Sequence, residues 1–86
     1  MSDSPGYHLR KIEKGELGEV SKIREELEEL EDATLQGARI MALIEASDLV
    51  GALKAYLAKH HPSYTLKDLE EMAHITSRAF KSGKRK

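Results

Sequence analysis

Apolar residues recur at steps of three and four through most of the chain, and no stretch alternates apolar and polar residues at a period of two. The first spacing places side chains on one face of an α-helix, whereas a half-buried strand needs the second. The pattern therefore predicts an all-α fold of three helices without strands. The first expected helix begins near Glu16, and the second runs from about Ala38 to Lys59. The third begins at residues 65–68 and ends at residues 82–83.

Two of these helices carry long apolar stripes, which we expect to bury each other across a turn. Thr34 and Gly37 favour that turn, and one continuous helix is the alternative. A continuous helix would separate Glu26 from Asp48 by roughly 33 Å, at about 1.5 Å per residue. The first stripe consists of Leu17, Val20, Ile23, Leu27, Leu30 and Thr34, and the second of Ala42, Ala46, Leu49, Val50, Leu53 and Leu57.

The length of 86 residues is enough for one domain, which we place at residues 1–86. Within it, residues 1–15 form an irregular N-terminal segment and residues 82–86 a basic tail. The chain has no cysteine, so neither a disulfide nor a thiolate metal site can stabilise it. The longest apolar run, residues 40–44, is too short to cross a membrane. Because the first residues are polar and acidic, we expect no secretory signal and a cytoplasmic protein.

Charge is distributed unevenly, although the net charge is only −1. Residues 13–32 contain nine acidic and three basic residues, whereas residues 78–86 contain five basic residues and no acidic one. The acidic stretch suits cations, and the tail suits phosphates. We do not expect a nucleic-acid partner, because such proteins normally present a basic face.

Two carboxylate pairs, Glu26 with Glu29 and Glu45 with Asp48, have the spacing of neighbours on a helix face. Both Glu29 with Glu45 and Glu26 with Asp48 are centred on residue 37, so an antiparallel hairpin turning there would bring all four together. Converging carboxylates either retain protons or need a cation, and oxygen ligands suit Mg²⁺ or Mn²⁺. The alternative is a solvated charged face. Glu45 and Asp48 are the more informative pair, because they interrupt an otherwise apolar segment.

The chain resembles the MazG-like proteins of the all-α nucleoside triphosphate pyrophosphohydrolase superfamily. This superfamily also includes the dimeric all-α dUTPases and phosphoribosyl-ATP pyrophosphohydrolase. The resemblance covers about residues 19–57, and residues 76–85 are similar to the ends of short MazG-like proteins. It rests on the EExxE…ExxD signature, which reads here Glu25-Glu26-Leu27-Glu28-Glu29 and, after fifteen residues, Glu45-Ala46-Ser47-Asp48.

The resemblance implies Mg²⁺-dependent cleavage of a nucleoside triphosphate to the monophosphate and pyrophosphate, with Mn²⁺ as a possible substitute ion. The implied metal ligands are Glu26, Glu29, Glu45 and Asp48. Glu25 and Glu26 are the implied catalytic residues, with Glu25 orienting or deprotonating the attacking water. A phosphoribosyl-ATP pyrophosphohydrolase-like enzyme is one alternative. A non-catalytic helical interaction module is another.

Four basic residues are candidates for binding the substrate phosphates: Lys22, Arg78, Lys81 and Arg85. Lys22 lies one turn before Glu26, and we favour the hypothesis that it forms an ion pair with Glu26 over contact with a phosphate. The C-terminal residues have an alternative role as cations that complement the end of a helix. Because one short third helix cannot cover both apolar stripes, we expect a homodimer or homotetramer with a four-helix-bundle core.

Overall fold

Three helices and no strand form between residues 8 and 81 of the computed structural model, which describes the backbone of this range and the side chains of residues 8–77. The helices are α1 (Val20–Leu35), α2 (Arg39–His60) and α3 (Leu66–Lys81). The predicted all-α fold of three helices is therefore confirmed. None of the helices in the described range has the length and apolar character needed to cross a bilayer.

Helix α1 begins at Val20, four residues after the predicted start. Gly18 has a φ of 94°, a left-handed conformation that residues with a side chain rarely adopt. The backbone N–H of Glu19 closes a turn onto the carbonyl of Glu16 at 2.9 Å. A turn at residues 16–19 thus takes the place of the predicted first helical turn.

The link between α1 and α2 is a short turn at Gly37, as the sequence predicts, and the continuous helix is excluded. Gly37 has a φ of 74°. Its N–H donates to the carbonyl of Thr34 at 3.0 Å, and the N–H of Ala38 donates to that of Ala33 at 3.0 Å. These two bonds are those of a Schellman motif, in which glycine ends a helix and satisfies its last carbonyls.

The far ends of α1 and α2 also meet, through side chains of opposite charge. Glu19, which precedes α1, forms an ion pair with Lys59 in the last turn of α2. The other carboxylate oxygen of Glu19 lies 3.1 Å from Nε2 of His60. Helix α2 ends at His60, one residue after the predicted end at Lys59 and two residues before Pro62.

Within the single chain, the two apolar stripes are buried only in part: Leu57 of the second stripe is 5% exposed, but much of the first stripe remains at the surface. Leu17, Val20 and Leu27 remain 65%, 51% and 53% exposed. The face of α1 that is covered by α2 and by the preceding segment carries carboxylates together with Ala33. Since Leu27 lies on another side of the helix from these residues, much of the stripe is left at the surface.

Helix α3 begins with the predicted capping box. The N–H of Thr65 donates to Oδ2 of Asp68 at 2.7 Å, and the N–H of Asp68 donates to Oγ1 of Thr65 at 3.3 Å. These bonds satisfy two backbone donors at the beginning of the helix. The helix covers little of α1 or α2, and its own Met72 and Ile75 are exposed.

Candidate metal centre

Carboxylates from α1 and α2 converge where the two helices face each other. Oxygens of Glu26, Glu45 and Asp48 lie within 4.8 Å of one another. Glu29 belongs to the same centre. Its carboxylate has an oxygen within 4.8 Å of an oxygen of Glu26, and one within 4.8 Å of an oxygen of Glu45. The structure thus brings together the four residues that were singled out as metal ligands.

Helical spacing and small neighbours account for this convergence. The members of each pair are three residues apart and so occupy adjacent turns of one face. Ala33 and Ala52, each four residues beyond a carboxylate of its own helix, are buried. Alanine on the facing surfaces leaves room for the two backbones to approach and for the longer acidic side chains to meet between them.

Proximity and burial raise the affinity of this centre for positive charge. Burial, together with the carboxylates of Glu26 and Glu45, raises the pKa of Glu29 to about 8. Burial and the same two carboxylates also raise the pKa of Asp48. Glu26 is only 6% exposed, and its Oε1 atom receives no hydrogen bond from the residues whose side chains the structure describes. A buried carboxylate oxygen without a donor is an energetic cost that a bound cation would remove.

Lys22 supplies part of the compensating charge. Its Nζ lies 3.1 Å from Oε1 of Glu25 and 3.1 Å from Oε2 of Glu26. Burial lowers the pKa of Lys22, but the two carboxylates outweigh burial and hold this pKa above its ordinary value. The pair with Glu26 that the sequence predicts is therefore present, and contact with a substrate phosphate stays a prediction.

Glu25 is engaged by the segment that precedes α1, residues 8–16, which we name the strap. The N–H of Gly15 donates to Oε1 of Glu25 at 2.8 Å, and Nζ of Lys14 lies 3.7 Å from Oε2. Burial opposes ionisation of Glu25, but Gly15 and Lys22 outweigh it and lower its pKa. A carboxylate with a lowered pKa is a weak base, so its surroundings suit orienting a water better than deprotonating one.

Glycine at position 15 allows the strap to lie directly against α1. A Cβ atom at this position would lie 2.2 Å from the carbonyl oxygen of Ser21 and 2.4 Å from the backbone nitrogen of Lys22. Both of these atoms belong to the backbone and cannot move aside cheaply. The contact between Gly15 and Glu25 therefore depends on the missing side chain.

His8 and Asp32 also belong to this centre, and the sequence analysis did not identify them. Nδ1 of His8 lies 2.8 Å from Oδ2 of Asp32, and Nε2 lies 3.5 Å from Oε2 of Glu45. Oδ2 of Asp32 further accepts hydrogen bonds from the Leu9 N–H and the Gln36 side chain. His8 and Asp32 are 24 residues apart, and His8 lies in an irregular segment, so no helical spacing could have linked them.

The C-terminal candidates for phosphate binding have side chains outside the described residues. Arg78 and Lys81 lie in the backbone of α3, but their side chains are outside the described residues. Arg85 lies outside them entirely.

Comparisons with family models, with curated proteins and with solved structures found no match to this chain.

Proposed function

We propose that this chain is a Mg²⁺-dependent nucleoside triphosphate pyrophosphohydrolase, which cleaves a nucleoside triphosphate to the monophosphate and pyrophosphate. One observation carries the proposal. Glu26, Glu29, Glu45 and Asp48 converge between two helices, with a buried oxygen of Glu26 that receives no hydrogen bond from any described residue. Four carboxylates in this arrangement fit a hard divalent cation that takes its remaining ligands from phosphates and water.

The proposal places these residues on an antiparallel hairpin of α1 and α2. The connection between the helices and the contacts at their other ends support that geometry. The helices are joined at Gly37, and at their other ends Glu19 contacts Lys59 and His60. In such a hairpin, Glu29 faces Glu45 and Glu26 faces Asp48, as their symmetry about residue 37 requires.

Within this centre, each side chain has a distinct task. Glu26, Glu29, Glu45 and Asp48 would hold the cation, and Glu26 also contacts Lys22. Mg²⁺ held there would supply a Lewis acid that promotes the ionisation of water and offsets negative charge as the anhydride is cleaved. Glu25, fixed by Gly15 and Lys22, orients the attacking water. Lys22 is close enough to the carboxylates to contact a phosphate after exchanging one of its partners.

The proposed enzyme is a homodimer or a dimer of dimers. Its core is a four-helix bundle made from residues 17–57 of each chain. The assembly is supported by large apolar residues that the described chain leaves exposed, just before and along α1 and along α2: Leu17, Val20, Leu27, Ile40, Leu43, Ile44 and Val50.

The test is pyrophosphate release by the full chain with Mg²⁺, in the wild type and in Glu45→Gln and Asp48→Asn. Each variant keeps the size of the side chain and removes its charge. We expect activity to fall on the order of 100-fold or more, because electrostatic stabilisation by a metal contributes several kcal/mol. Glu70→Gln, an exposed change on α3, is the matched control and retains activity. Full activity in both site variants would overturn the proposal.

A panel of nucleotides in the same assay identifies the substrate. Release of pyrophosphate from phosphoribosyl-ATP alone would indicate a phosphoribosyl-ATP pyrophosphohydrolase-like enzyme.

Thermal melts with and without Mg²⁺ separate the enzyme from a helical interaction module, because an ion that binds only the folded chain raises the melting temperature. Neither turnover nor a shift with Mg²⁺ or Mn²⁺ would favour the interaction module.

A further inference from the structure

His8 lies beside the proposed Mg²⁺ ligands and adds a nitrogen to a set of oxygens. One ring nitrogen of His8 and carboxylate oxygens of Glu29 and Glu45 lie within 4.8 Å of one another. The His8 side chain is only 9% exposed. We propose that His8, Glu29 and Glu45 form a second cation position that takes a transition-metal ion such as Mn²⁺. This inference rests on the proposed function, since Glu29 and Glu45 belong to both positions.

Asp32 orients the ring of His8 for this task. Oδ2 of Asp32 is fixed by hydrogen bonds from the Leu9 N–H and the Gln36 side chain, and Nδ1 of His8 lies 2.8 Å from this oxygen. With Nδ1 turned towards Asp32, Nε2 is directed towards Glu45, whose Oε2 lies 3.5 Å away. Histidine ligands of metals commonly donate their other ring N–H to a carboxylate, which fixes the ring and raises its basicity.

Glu26, whose unsatisfied oxygen also supports the proposed function, borders the His8 group without belonging to it. It is 6% exposed, and its Oε1 atom lacks a hydrogen-bond donor among the described side chains. A carboxylate oxygen of Glu26 lies within 4.8 Å of one of Glu29, and one lies within 4.8 Å of one of Glu45. An unsatisfied buried oxygen next to both shared ligands indicates that the centre is completed by more positive charge than Lys22 provides.

The ligand types predict the preference of this position. Carboxylates alone suit Mg²⁺, whereas imidazole favours first-row transition metals. A position with one histidine nitrogen and two carboxylates should therefore prefer Mn²⁺ to Mg²⁺. The four-carboxylate position keeps its oxygen ligands and its fit to Mg²⁺.

The experiment is electron spin-echo envelope modulation of Mn²⁺ bound to the full chain, which detects a ¹⁴N nucleus that is bonded to the ion. We expect ¹⁴N modulation in the wild type, its loss in His8→Gln, and a Mn²⁺ affinity lowered on the order of tenfold or more in that variant. The matched control is His74→Gln, an exposed histidine on α3, which retains both the modulation and the affinity.

The outcomes separate the two proposals. Mn²⁺ that binds the wild type without ¹⁴N modulation would overturn the His8 position and leave the four-carboxylate site intact. Modulation that persists in folded His8→Gln would also overturn it. A chain that binds neither Mn²⁺ nor Mg²⁺ contradicts the proposed function as well. Circular dichroism reports whether His8→Gln folds. If it does not, His8→Asn is the second variant, and modulation that persists in folded His8→Asn would overturn the position.

Discussion

Glu29 links the charge of the centre to the stability of the chain. Its pKa is about 8 in the folded chain, because of burial and of its neighbours Glu26 and Glu45, against an ordinary value of 4.5. The folded state therefore binds more protons than the unfolded state between these two values, and stability falls as pH rises. The stabilising contribution is fully present below about pH 4.5 and is lost as pH rises through about 8.

We therefore expect the free energy of unfolding of the metal-free protein to decrease between about pH 5 and pH 8. Urea denaturation in the presence of a chelator measures it. Glu29→Gln should reduce the slope, because glutamine does not titrate. Asp48, whose pKa is also raised, acts in the same direction, whereas Glu25 and Asp32 have lowered pKa values and act at lower pH. Glu70→Gln should keep the wild-type slope, and an equal slope in Glu29→Gln would contradict the role of Glu29.

Helical spacing decides which individual site residues can be predicted from the sequence. The four carboxylates could be predicted as one cluster, because the members of each pair keep a fixed distance within a regular helix and Gly37 fixes how the pairs face each other. They are Glu26, Glu29, Glu45 and Asp48. His8 could not be added. Its position depends on the irregular strap, whose course follows from individual hydrogen bonds with α1 and not from a repeating pattern.

The strap depends on Gly15, and its contribution to stability can be measured there. Alanine at this position would place Cβ 2.2 Å from the carbonyl oxygen of Ser21, so the strap would have to move away and release Glu25. We expect Gly15→Ala to lower the free energy of unfolding by about 1–3 kcal/mol in chemical denaturation, since a buried carboxylate loses a hydrogen bond.

Gly51→Ala is the matched control, because a Cβ at position 51 meets nothing within 4 Å and Gly51 lies inside α2. This variant should instead stabilise the chain by about 0.5–1 kcal/mol, since alanine favours a helix more than glycine does. If Gly15→Ala were as stable as Gly51→Ala, the strap would not lie against α1.

The boundaries of the helices were predictable where local chemistry determines them. Gly37 ends α1, Pro62 follows the end of α2, and Thr65 with Asp68 begins α3. The beginning of α1 was predicted too early, since nothing in the periodicity shows that Gly18 adopts a left-handed conformation. The buried face of α1 was also mispredicted, because hydrophobicity alone does not identify a helix surface that buries carboxylates.

At the level of the whole molecule, the described residues of a single chain leave much apolar surface exposed. Leu27 on α1 and Leu43 on α2 are 53% and 72% exposed. We expect the wild type to sediment as a dimer or tetramer of the 9.6 kDa chain at micromolar concentration, with a melting temperature that rises with protein concentration. Leu27→Glu combined with Leu43→Glu should dissociate it, because charges would then enter the apolar interface.

Lys67→Glu, an exposed change on α3, is the control and should leave the mass unchanged. Analytical ultracentrifugation measures the mass, and circular dichroism reports whether each variant stays helical. A folded, active wild-type monomer at micromolar concentration would refute the assembly without affecting the carboxylate centre.

At the carboxylates between α1 and α2, selection for stability and selection for cation binding favour different residues. Replacing a buried charged group with an apolar one of similar volume is often neutral or stabilising. Random mutagenesis followed by selection for heat resistance alone would therefore enrich methionine or leucine at Glu26 and Glu45, two of the most buried side chains in the described range. Selection that also demanded cation binding would return glutamate at both positions, at the expense of thermal tolerance.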